Sequence, residues 1–486
     1  MRYLFTLLIV VAANSCIIAQ DKWGLRRSVE YAWQNNLNIK QQEIQAALAG
    51  VTEKQARNSV YPNANFSTNA GVQFGRSVDP TTNQFTTTQL LFQQYSLNTD
   101  ITIFNWHRVK NSTRAAQLDT KAAIANVEKT KNDIALSVAT QYLQALLNTE
   151  QVAIVQVQFE QTKSQLQATR LRVNAGALPE LNATELEAQL ARDSTAMINA
   201  KAIADISVLQ LKALLNLDAA APFELDIPPV EKIPLEKLAD LQPDYVYQMA
   251  LQNQPAQKVN MLRLQSSQMN VKVAKASLYP VISAFAGLGS NFANPFKKVT
   301  NVSFAGYGNP DPTTGAVTIN NTQYFLQQPQ FNVTQGQKSF GELWKGYGTQ
   351  VEQNFRQNIG FSIFVPIFSN GGAARAAHER SKLNVKSAEI TIQQADQQLK
   401  QDIYQSYTNA LSALERFNAT EVTVAASQKT YDFSLKRFDV GLLGTFELLI
   451  NQNNLTTAKL NRLVAQYEYV FRMKVLEFYK GQGLKL

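Results

Sequence analysis

The sequence predicts an α+β membrane protein in which long, coiled-coil-like helices form a helical barrel that is continued by the strands of a transmembrane β-barrel. Three observations support this fold class. Residues 106–172 and 373–437 contain neither proline nor glycine, which favours two very long helices. Three segments of about ten residues alternate apolar with polar side chains, as barrel strands do, and a fourth, the Gly- and Ala-rich segment 281–292, fits less cleanly. The whole arrangement occurs twice along the chain.

Composition narrows the class of protein. The 486 residues are 45% hydrophobic and only 17% charged, against about 25% charged in ordinary proteins. A polytopic helical membrane protein is excluded, because the only apolar run approaching membrane length lies at the extreme N-terminus. The net charge of +9 comes from Lys and Arg interleaved with Asp and Glu, so no basic cluster predicts nucleic-acid binding.

The N-terminal residues 1–20 are predicted to be an export signal. Arg2 supplies a positive charge, an apolar stretch follows, and cleavage is expected near Ala19 or Gln20. In a rival interpretation Cys16 becomes a lipid-anchored N-terminus. Both interpretations export the protein, and after cleavage at Ala19 or Gln20 the chain would contain no cysteine.

The rest of the chain is predicted to be two repeats, 21–242 and 243–486. Tyr61-Pro62 recurs 218 residues later as Tyr279-Pro280, and Gly176 recurs 265 residues later as Gly441. These two separations in residue number are the shifts between the repeats. The shift grows in one place, the segment 290–350, which we interpret as an enlarged loop forming a folded extracellular cap or a tolerated insertion. Repeats of this kind indicate two copies of one structural unit.

Each repeat is predicted to contain a helix, two strands, a long helix, a sharp turn and a returning helix. The shorter helices are about half the length of the long ones, so two of them stacked end to end would lie beside each long helix. In the first long helix, Val155, Thr162 and Thr169 belong to a seam with alternating steps of three and four residues, typical of coiled-coil packing. The shorter helices are predicted at Leu25–Val60, Asn182–Asn216, Tyr245–Leu278 and Thr445–Lys480.

The strands are predicted around residues 66–74, 97–103, 281–292 and 355–365. Apolar side chains on alternate positions are expected to face lipid, although a soluble two-sheet subdomain would show the same alternation. Four strands cannot close a barrel and an open edge is not tolerated in lipid, so several chains must pool their strands with cyclic symmetry. The predicted lipid-facing residues are Phe66, Val72, Phe74, Ile101, Ile103, Phe361 and Ile363.

Catalytic and cofactor chemistry is not predicted. His107 and His378 lie far apart, and the segment after His378 lacks the second histidine of a zinc-protease helix. The pair Gly287 and Gly289 lies in a predicted strand and is interpreted as structural. We therefore predict no enzyme, no cofactor and no metal site.

Several motifs resemble the TolC-type outer-membrane efflux proteins. They are the opening Trp23-Gly24-Leu25, the two Tyr-Pro helix ends, the glycine turns at Gly176 and Gly441, and Ile367-Phe368-Ser369-Asn370-Gly371-Gly372 before the second long helix. The resemblance covers the chain after the export signal. It implies a homotrimer with a twelve-stranded barrel in the outer membrane of a Gram-negative bacterium and a twelve-helix periplasmic tunnel. The segment 105–108 departs from the family, which usually has a glycine pair there.

The resemblance also implies partners and sites. A periplasmic adaptor protein would dock at the two turns and link the trimer to an inner-membrane pump of the RND or ABC type. Exposed apolar side chains beside the glycines suit such a partner, although ordinary turns with locally packed leucines would have the same sequence. The predicted contact residues are Gly176, Ala177, Leu178, Gly441, Leu442 and Leu443.

A periplasmic gate is expected at the start of the returning helices. Glu447 and Asn182 each lie six residues after a turn glycine, and the resemblance implies an acidic ring at the position of Glu447. Ile450 occupies the next ring position, which is normally acidic, and Glu185 is the candidate to replace part of it. Phe438 matches an aromatic residue that helps to hold the aperture shut. Alternatively, Glu447 is an ordinary carboxylate at the start of a solvated helix.

Together these features predict a passive exit duct of a tripartite efflux or secretion system. Two alternatives stay open, an exit channel for type I protein secretion and a periplasmic coiled-coil scaffold without a channel.

Overall fold

The computed structural model describes residues 22–78, 85–87, 89–227, 233, 235–308, 315–325, 327–368 and 372–481. The predicted export signal with Cys16, and residues 369–371 of the motif before the second long helix, lie outside this part. The described residues fall into two compact units. The first contains the described residues of Met1–Lys54, Thr113–Val271 and Glu379–Leu486, and the second those of Gln55–Ser112 and Lys272–His378. Each unit takes segments from both predicted repeats.

The secondary structure follows the predicted order. The first half contains α1 (Leu25–Asn35), α2 (Leu37–Asn58), β1 (Asn63–Gln73), β2 (Arg76–Val78), β3 (Phe85–Thr87), β4 (Leu90–Phe104), α3 (Arg108–Asn174) and α4 (Glu180–Leu215). The second half contains α5 (Pro243–Asn253), α6 (Pro255–Ala276), β5 (Val281–Pro295), β6 (Lys297–Tyr307), β7 (Ala316–Ile319), β8 (Thr322–Phe325), β9 (Pro329–Gln337), α7 (Phe340–Leu343), α8 (Tyr347–Gln353), β10 (Arg356–Phe364), α9 (Ala373–Asp439) and α10 (Thr445–Lys480).

The helix bounds reproduce the two sequence shifts residue for residue. A shift of 218 converts the bounds of α1 and α2 into those of α5 and α6, and a shift of 265 converts α3 and α4 into α9 and α10. Both long helices have 67 residues and both returning helices have 36. The predicted span of the last helix, Thr445–Lys480, agrees with its observed bounds.

The prediction of one continuous helix at the start of each repeat is wrong. Both predicted helices are interrupted about one third of the way along, at Asn36 and at Gln254. Asn36 leaves the helical conformation at ψ 129, where its side chain donates to the Leu214 carbonyl at 2.8 Å and accepts from the Asn38 backbone N–H at 2.9 Å. Gln254 breaks the second helix at ψ 124. It precedes Pro255, and a residue before proline is sterically driven out of the helical region.

In the helical unit, the two repeats bury equivalent side chains. Ala32, Val138, Ala145 and Leu211 of one core cluster correspond at the two shifts to Ala250, Ile403, Ala410 and Leu476 of another, and all eight are 0% exposed. Small alanines at these positions let the helices approach closely. Along α3 the predicted seam is at least partly buried throughout, with Thr162 and Thr169 fully enclosed.

The strand unit contains an antiparallel four-stranded sheet in the order β1-β4-β5-β10. The segment 290–350 is not one loop. Its first residues belong to β5, β6 pairs with β9, and β7 pairs with β8. The short helices α7 and α8 then return to β5, where Asn354 donates to the Asn291 carbonyl at 2.7 Å and Ser290 donates to the Val351 carbonyl at 2.6 Å. A deletion of the whole segment would therefore remove part of the main sheet.

Candidate functional sites: the two-faced sheet and the helix turns

The four-stranded sheet has one apolar and one polar face. In one cross-strand row Phe66, Leu97 and Leu288 are neighbours, and in others Phe361 pairs with Ala284 and Ile363 with Ile282. The intervening rows contain mostly Ser, Asn and Gly, including Ser67 beside Ser96 and Asn65 beside Asn98. The alternation read from single strands is thus in register across the sheet, as one face in lipid and one in water require.

The predicted lipid-facing residues are exposed to different degrees in the single chain. Phe361 is 78% exposed, Ile363 67% and Phe66 65%. Val72 and Phe74 are also exposed, although Phe74 lies just beyond the end of β1, and Ile101 is half-buried. Such large exposed apolar faces are rare on soluble monomers and mark membrane or protein contacts.

Ile103 does not have the register position that alternation predicts. The pairing of β4 with β5 shifts between Thr102 and Phe104, so that Phe104 pairs with Ile282. Ile103 is the additional residue of this β-bulge. Phe104 therefore continues the apolar row that contains Ile282 and Ile363, and the sequence analysis missed it.

Aromatic side chains cluster at both ends of the apolar face. Near the end of β4, the ring of Trp106 lies 5.2 Å from Phe104 and 4.9 Å from Tyr279 between centroids. Toward the other end of β5, Phe292 stacks on Trp344 at 5.6 Å and contacts Tyr347 at 5.1 Å. Only the cluster around Trp106 is exposed, as an aromatic girdle of a membrane barrel is, because Phe292 is fully buried.

The two helix turns have the same backbone geometry. Gly176 has φ 72 and Gly441 has φ 77, left-handed conformations that glycine adopts without steric cost. The next residue's N–H reaches back to the helix in each case, from Ala177 to the Arg172 carbonyl at 2.9 Å and from Leu442 to the Arg437 carbonyl at 2.8 Å. This is the Schellman helix ending, and it sends the chain straight into the returning helix.

The apolar residues beside these glycines are not all exposed. Leu442 is 69% exposed, whereas Leu443 is only 8% exposed and packs with Phe438 and Leu448. The expectation that Leu443 is exposed is therefore wrong, because it closes the small core between the second turn and its two helices. Leu178 is half-buried, while Gly176, Ala177 and Gly441 are exposed.

The candidate gate residues lie near the starts of the returning helices. Asn182 and Glu447 are each the third residue of their helix. Glu447 is exposed, Ile450 is 42% exposed, and Asn182 and Glu185 are half-buried. Phe438 is only 9% exposed because it belongs to the core of the turn.

A buried polar layer behind the turns was not predicted. Thr162 donates to Asp193 Oδ2 at 2.6 Å, Gln189 donates to Asp193 Oδ1 at 2.8 Å, and Gln452 donates to Thr162 at 3.2 Å. These side chains join α3, α4 and α10, and all four are at least 94% buried. The two threonines of the seam, Thr162 and Thr169, were the available signal.

The described residues contain neither a metal-binding cluster nor a membrane-crossing helix. They contain no group of three or more His, Cys, Asp or Glu side chains arranged to hold a metal ion. No helix in this part of the chain is long and apolar enough to cross a membrane.

The described residues combine a unit of long helices with an antiparallel sheet that has one apolar and one polar face. The sequence profile of the Outer membrane efflux protein family matches residues 29–217 and 326–481, more than half of the chain. The chain therefore belongs to this family, and it is a protein of the outer membrane. No curated protein matches the sequence.

Solved structures of outer-membrane proteins share the fold at low sequence identity. VceC from Vibrio cholerae is 15% identical with a TM-score of 0.70, over 95% of this chain and 97% of VceC. CmeC from Campylobacter jejuni is 16% identical with a TM-score of 0.69, over 95% of this chain and 86% of CmeC. MtrE from Neisseria gonorrhoeae, solved in its open state, is 17% identical with a TM-score of 0.67, over 95% and 89%.

Proposed function

We propose that the protein is the passive, homotrimeric exit duct of a tripartite efflux or secretion system, spanning the outer membrane and extending through the periplasm. The observation that carries this proposal is the two-faced sheet with open edges. Within the described part of the chain, β1 and β10 each have one unpaired side, and Phe361 and Ile363 on β10 are more than 60% exposed. Because lipid does not tolerate unpaired strand edges, three chains would join β10 of one copy to β1 of the next and close twelve strands.

The dimensions of the sheet suit a bilayer. From Phe104 to Tyr95, β4 would cover about 30 Å, which a tilt of about 40° reduces to about 23 Å. That is close to the apolar band of about 25 Å that outer-membrane barrels present. The long helices α3 and α9 have 67 residues each, or about 100 Å at 1.5 Å per residue, a length that would take the turns deep into the periplasm.

The turns are the proposed docking surface for a periplasmic adaptor, which would connect the duct to an inner-membrane pump of the RND or ABC type. Support comes from the apolar side chains left exposed at the second turn: Val440 and Leu442 are each 69% exposed and Phe446 66%. An adaptor would cover these side chains. The aperture beside them would be narrowed by three copies of Glu447.

The mass of the assembly in mild detergent tests the proposal. The full chain has a mass of 54.1 kDa, and removal of about 20 residues leaves about 52 kDa. We expect a particle of three chains that inserts into planar bilayers and conducts. A monomer of about 52 kDa would contradict the closed barrel, and a trimer found in the soluble fraction without detergent would favour the periplasmic scaffold.

A further inference from the structure

The polar face of the sheet contains a recess whose floor is glycine. A Cβ atom placed on Gly287 would lie 2.4 Å from Asn358 Oδ1 and 3.2 Å from Asn98 Oδ1. The two carboxamides, one from each neighbouring strand, therefore lean over Gly287, and this glycine is buried beneath them. Any other residue at position 287 would push them apart.

Arg356 lies one row further along the same face. It pairs with Gly289, and a Cβ atom on that glycine would lie 3.3 Å from Arg356 Nε. The arginine side chain thus lies over β5, in the cross-strand row that also contains Ser96. The Ser96 hydroxyl is 2.7 Å from that of Ser67 on the next strand. Arg356 is exposed, and no described carboxylate pairs with it.

The one acidic residue in the four strands, Asp100, is too distant to neutralise the arginine. Asp100 lies in the row of Phe285, four residues along β5 from the row of Gly289. Four residues correspond to about 13 Å along a strand, and Asp100 is two strands away from Arg356 as well. The recess therefore combines an unpaired guanidinium with two carboxamides at one point of the polar face.

We propose that Arg356, Asn98 and Asn358 form a binding site for carboxylate and phosphate groups. In the closed trimer, as proposed above, three such sites form a cationic ring on the lumen wall. The guanidinium fork binds carboxylate or phosphate through two parallel hydrogen bonds, and the carboxamides add N–H donors. Gly287 and Gly289 let these three side chains lie close against the strand, because neither glycine has a Cβ atom in their way. The ring favours anionic solutes that travel along the wall.

Ionic strength controls how far the ring acts. The Debye length is about 8 Å at 0.15 M salt and about 30 Å at 0.01 M. Anions at the wall bind under both conditions. Anions on the axis of a twelve-stranded barrel are attracted by the ring at low salt. Rings of Arg or Lys make other pores anion-selective by the same physics.

Block of single channels by inorganic tripolyphosphate, added on the barrel side at low salt, tests the site. Arg356→Gln should raise the half-blocking concentration by about tenfold, because it removes one charge-assisted, two-bond contact per site. Arg356→Lys keeps the charge without the fork and should raise it by less. Arg263→Gln, which removes the same charge from an exposed position of α6, should leave block unchanged.

Calorimetric titration of the detergent-solubilised protein with tripolyphosphate separates this inference from the exit-duct proposal. Weaker binding by Arg356→Gln than by the parent supports the site whether or not the protein conducts. Equal binding by both overturns the site. A parent that forms no channel overturns the duct and the ring. Equal block of the parent and Arg356→Gln channels overturns the ring in a protein that does conduct.

Discussion

The indole Nε1 of Trp106 donates a hydrogen bond of 2.9 Å to the carbonyl oxygen of Pro280. The bond connects the residues after β4 with the start of β5, and it holds a strained backbone. Trp106 has φ 52 and His107 has φ 63, left-handed conformations that cost a non-glycine residue roughly 1–2 kcal/mol each. At the equivalent of His107 in the second repeat the chain has Gly372, with φ 85.

Replacing these two residues by glycine should have opposite effects. His107 is exposed, so His107→Gly should relieve strain and stabilise the protein by about 0.5–1 kcal/mol after the entropy cost of glycine. Trp106→Gly relieves similar strain but loses the ring contacts and the hydrogen bond, so we expect a net loss of about 1–3 kcal/mol. Thermal unfolding in detergent measures both. A less stable His107→Gly variant would contradict the strain argument.

Adjacent cysteines on β10 should report the two faces of the barrel. Phe361 and Ser362 are both exposed in the single chain, so a difference between them must come from lipid or from the neighbouring subunit. The sole cysteine of the sequence is Cys16, in the predicted export segment, which makes single-cysteine labelling clean. In outer-membrane vesicles, Ser362→Cys should react with a charged maleimide and Phe361→Cys should not. Equal labelling of the two would exclude lipid on the Phe361 face.

At the second turn, substitutions of two neighbouring leucines should affect folding and adaptor docking separately. Leu443 is buried and Leu442 is exposed, so Leu443→Ala should destabilise the turn by about 2 kcal/mol or more. Leu442→Asp should leave the trimer as stable as the parent but abolish export in a complemented deletion strain, since a charge would enter the adaptor contact. Ala177→Asp introduces the same charge at the first turn, the other part of the proposed docking surface, and should also reduce export. Full export by Leu442→Asp would remove the second turn from the docking surface.

Acid should loosen the start of α7 and its contact with β6. A hydrogen bond from Lys298, with two more from the backbone and side chain of Ser339, lowers the pKa of Glu342 from 4.5 to about 2. Because the folded-state pKa lies below the unfolded value, this stabilisation is present above about pH 4.5 and is lost as pH falls toward 2. The near-UV circular dichroism of the Phe292–Trp344 stack should decrease across that window. Glu342→Gln should flatten the change, and an unchanged profile would exclude Glu342 as its source.

Local sequence patterns predicted the features that depend on the periodicity of apolar residues and on residues that end helices or form turns. The last helix was predicted with its observed bounds, and the turns at Gly176 and Gly441 lie where the glycines indicated. The strand alternation also holds across the sheet, since a two-residue period leaves no other way to segregate Phe361 from Ser362.

Features that depend on tertiary contacts were missed. The break at Asn36 depends on a bond to the Leu214 carbonyl, and the bulge at Ile103 depends on pairing with a strand almost 180 residues later. The burial of Leu443 depends on Phe438 and Leu448 across a turn. None of these contacts is visible in a local pattern. At the candidate gate, Glu447 and Asn182 could be placed at helix starts, but their exposure could not.

The ion pair of Arg170 with Glu187 affects how a gate at Glu447 should be tested. A control for Glu447→Gln must remove a carboxylate charge that has no structural role. Glu187→Gln does not meet this condition, because Glu187 and Glu180 both pair with Arg170 and so connect α4 to α3. Glu415, an exposed carboxylate on α9 without a described partner, is a better one. Glu415→Gln removes the same charge as Glu447→Gln, at a position distant from the turn.

Three copies of Glu447 at the aperture would repel one another but concentrate cations, because like charges around a narrow opening focus the field. We therefore expect the isolated trimer to conduct weakly, to prefer cations and to be blocked by trivalent cations from the helix side. Glu447→Gln should relieve that block, since it removes the charge while keeping the size of the side chain. Glu415→Gln should not relieve it, and neither should Arg356→Gln. Single-channel recordings in which Glu447→Gln behaves like the parent would place the gate elsewhere, with the buried polar layer of Thr162 and Asp193 as the next position to test.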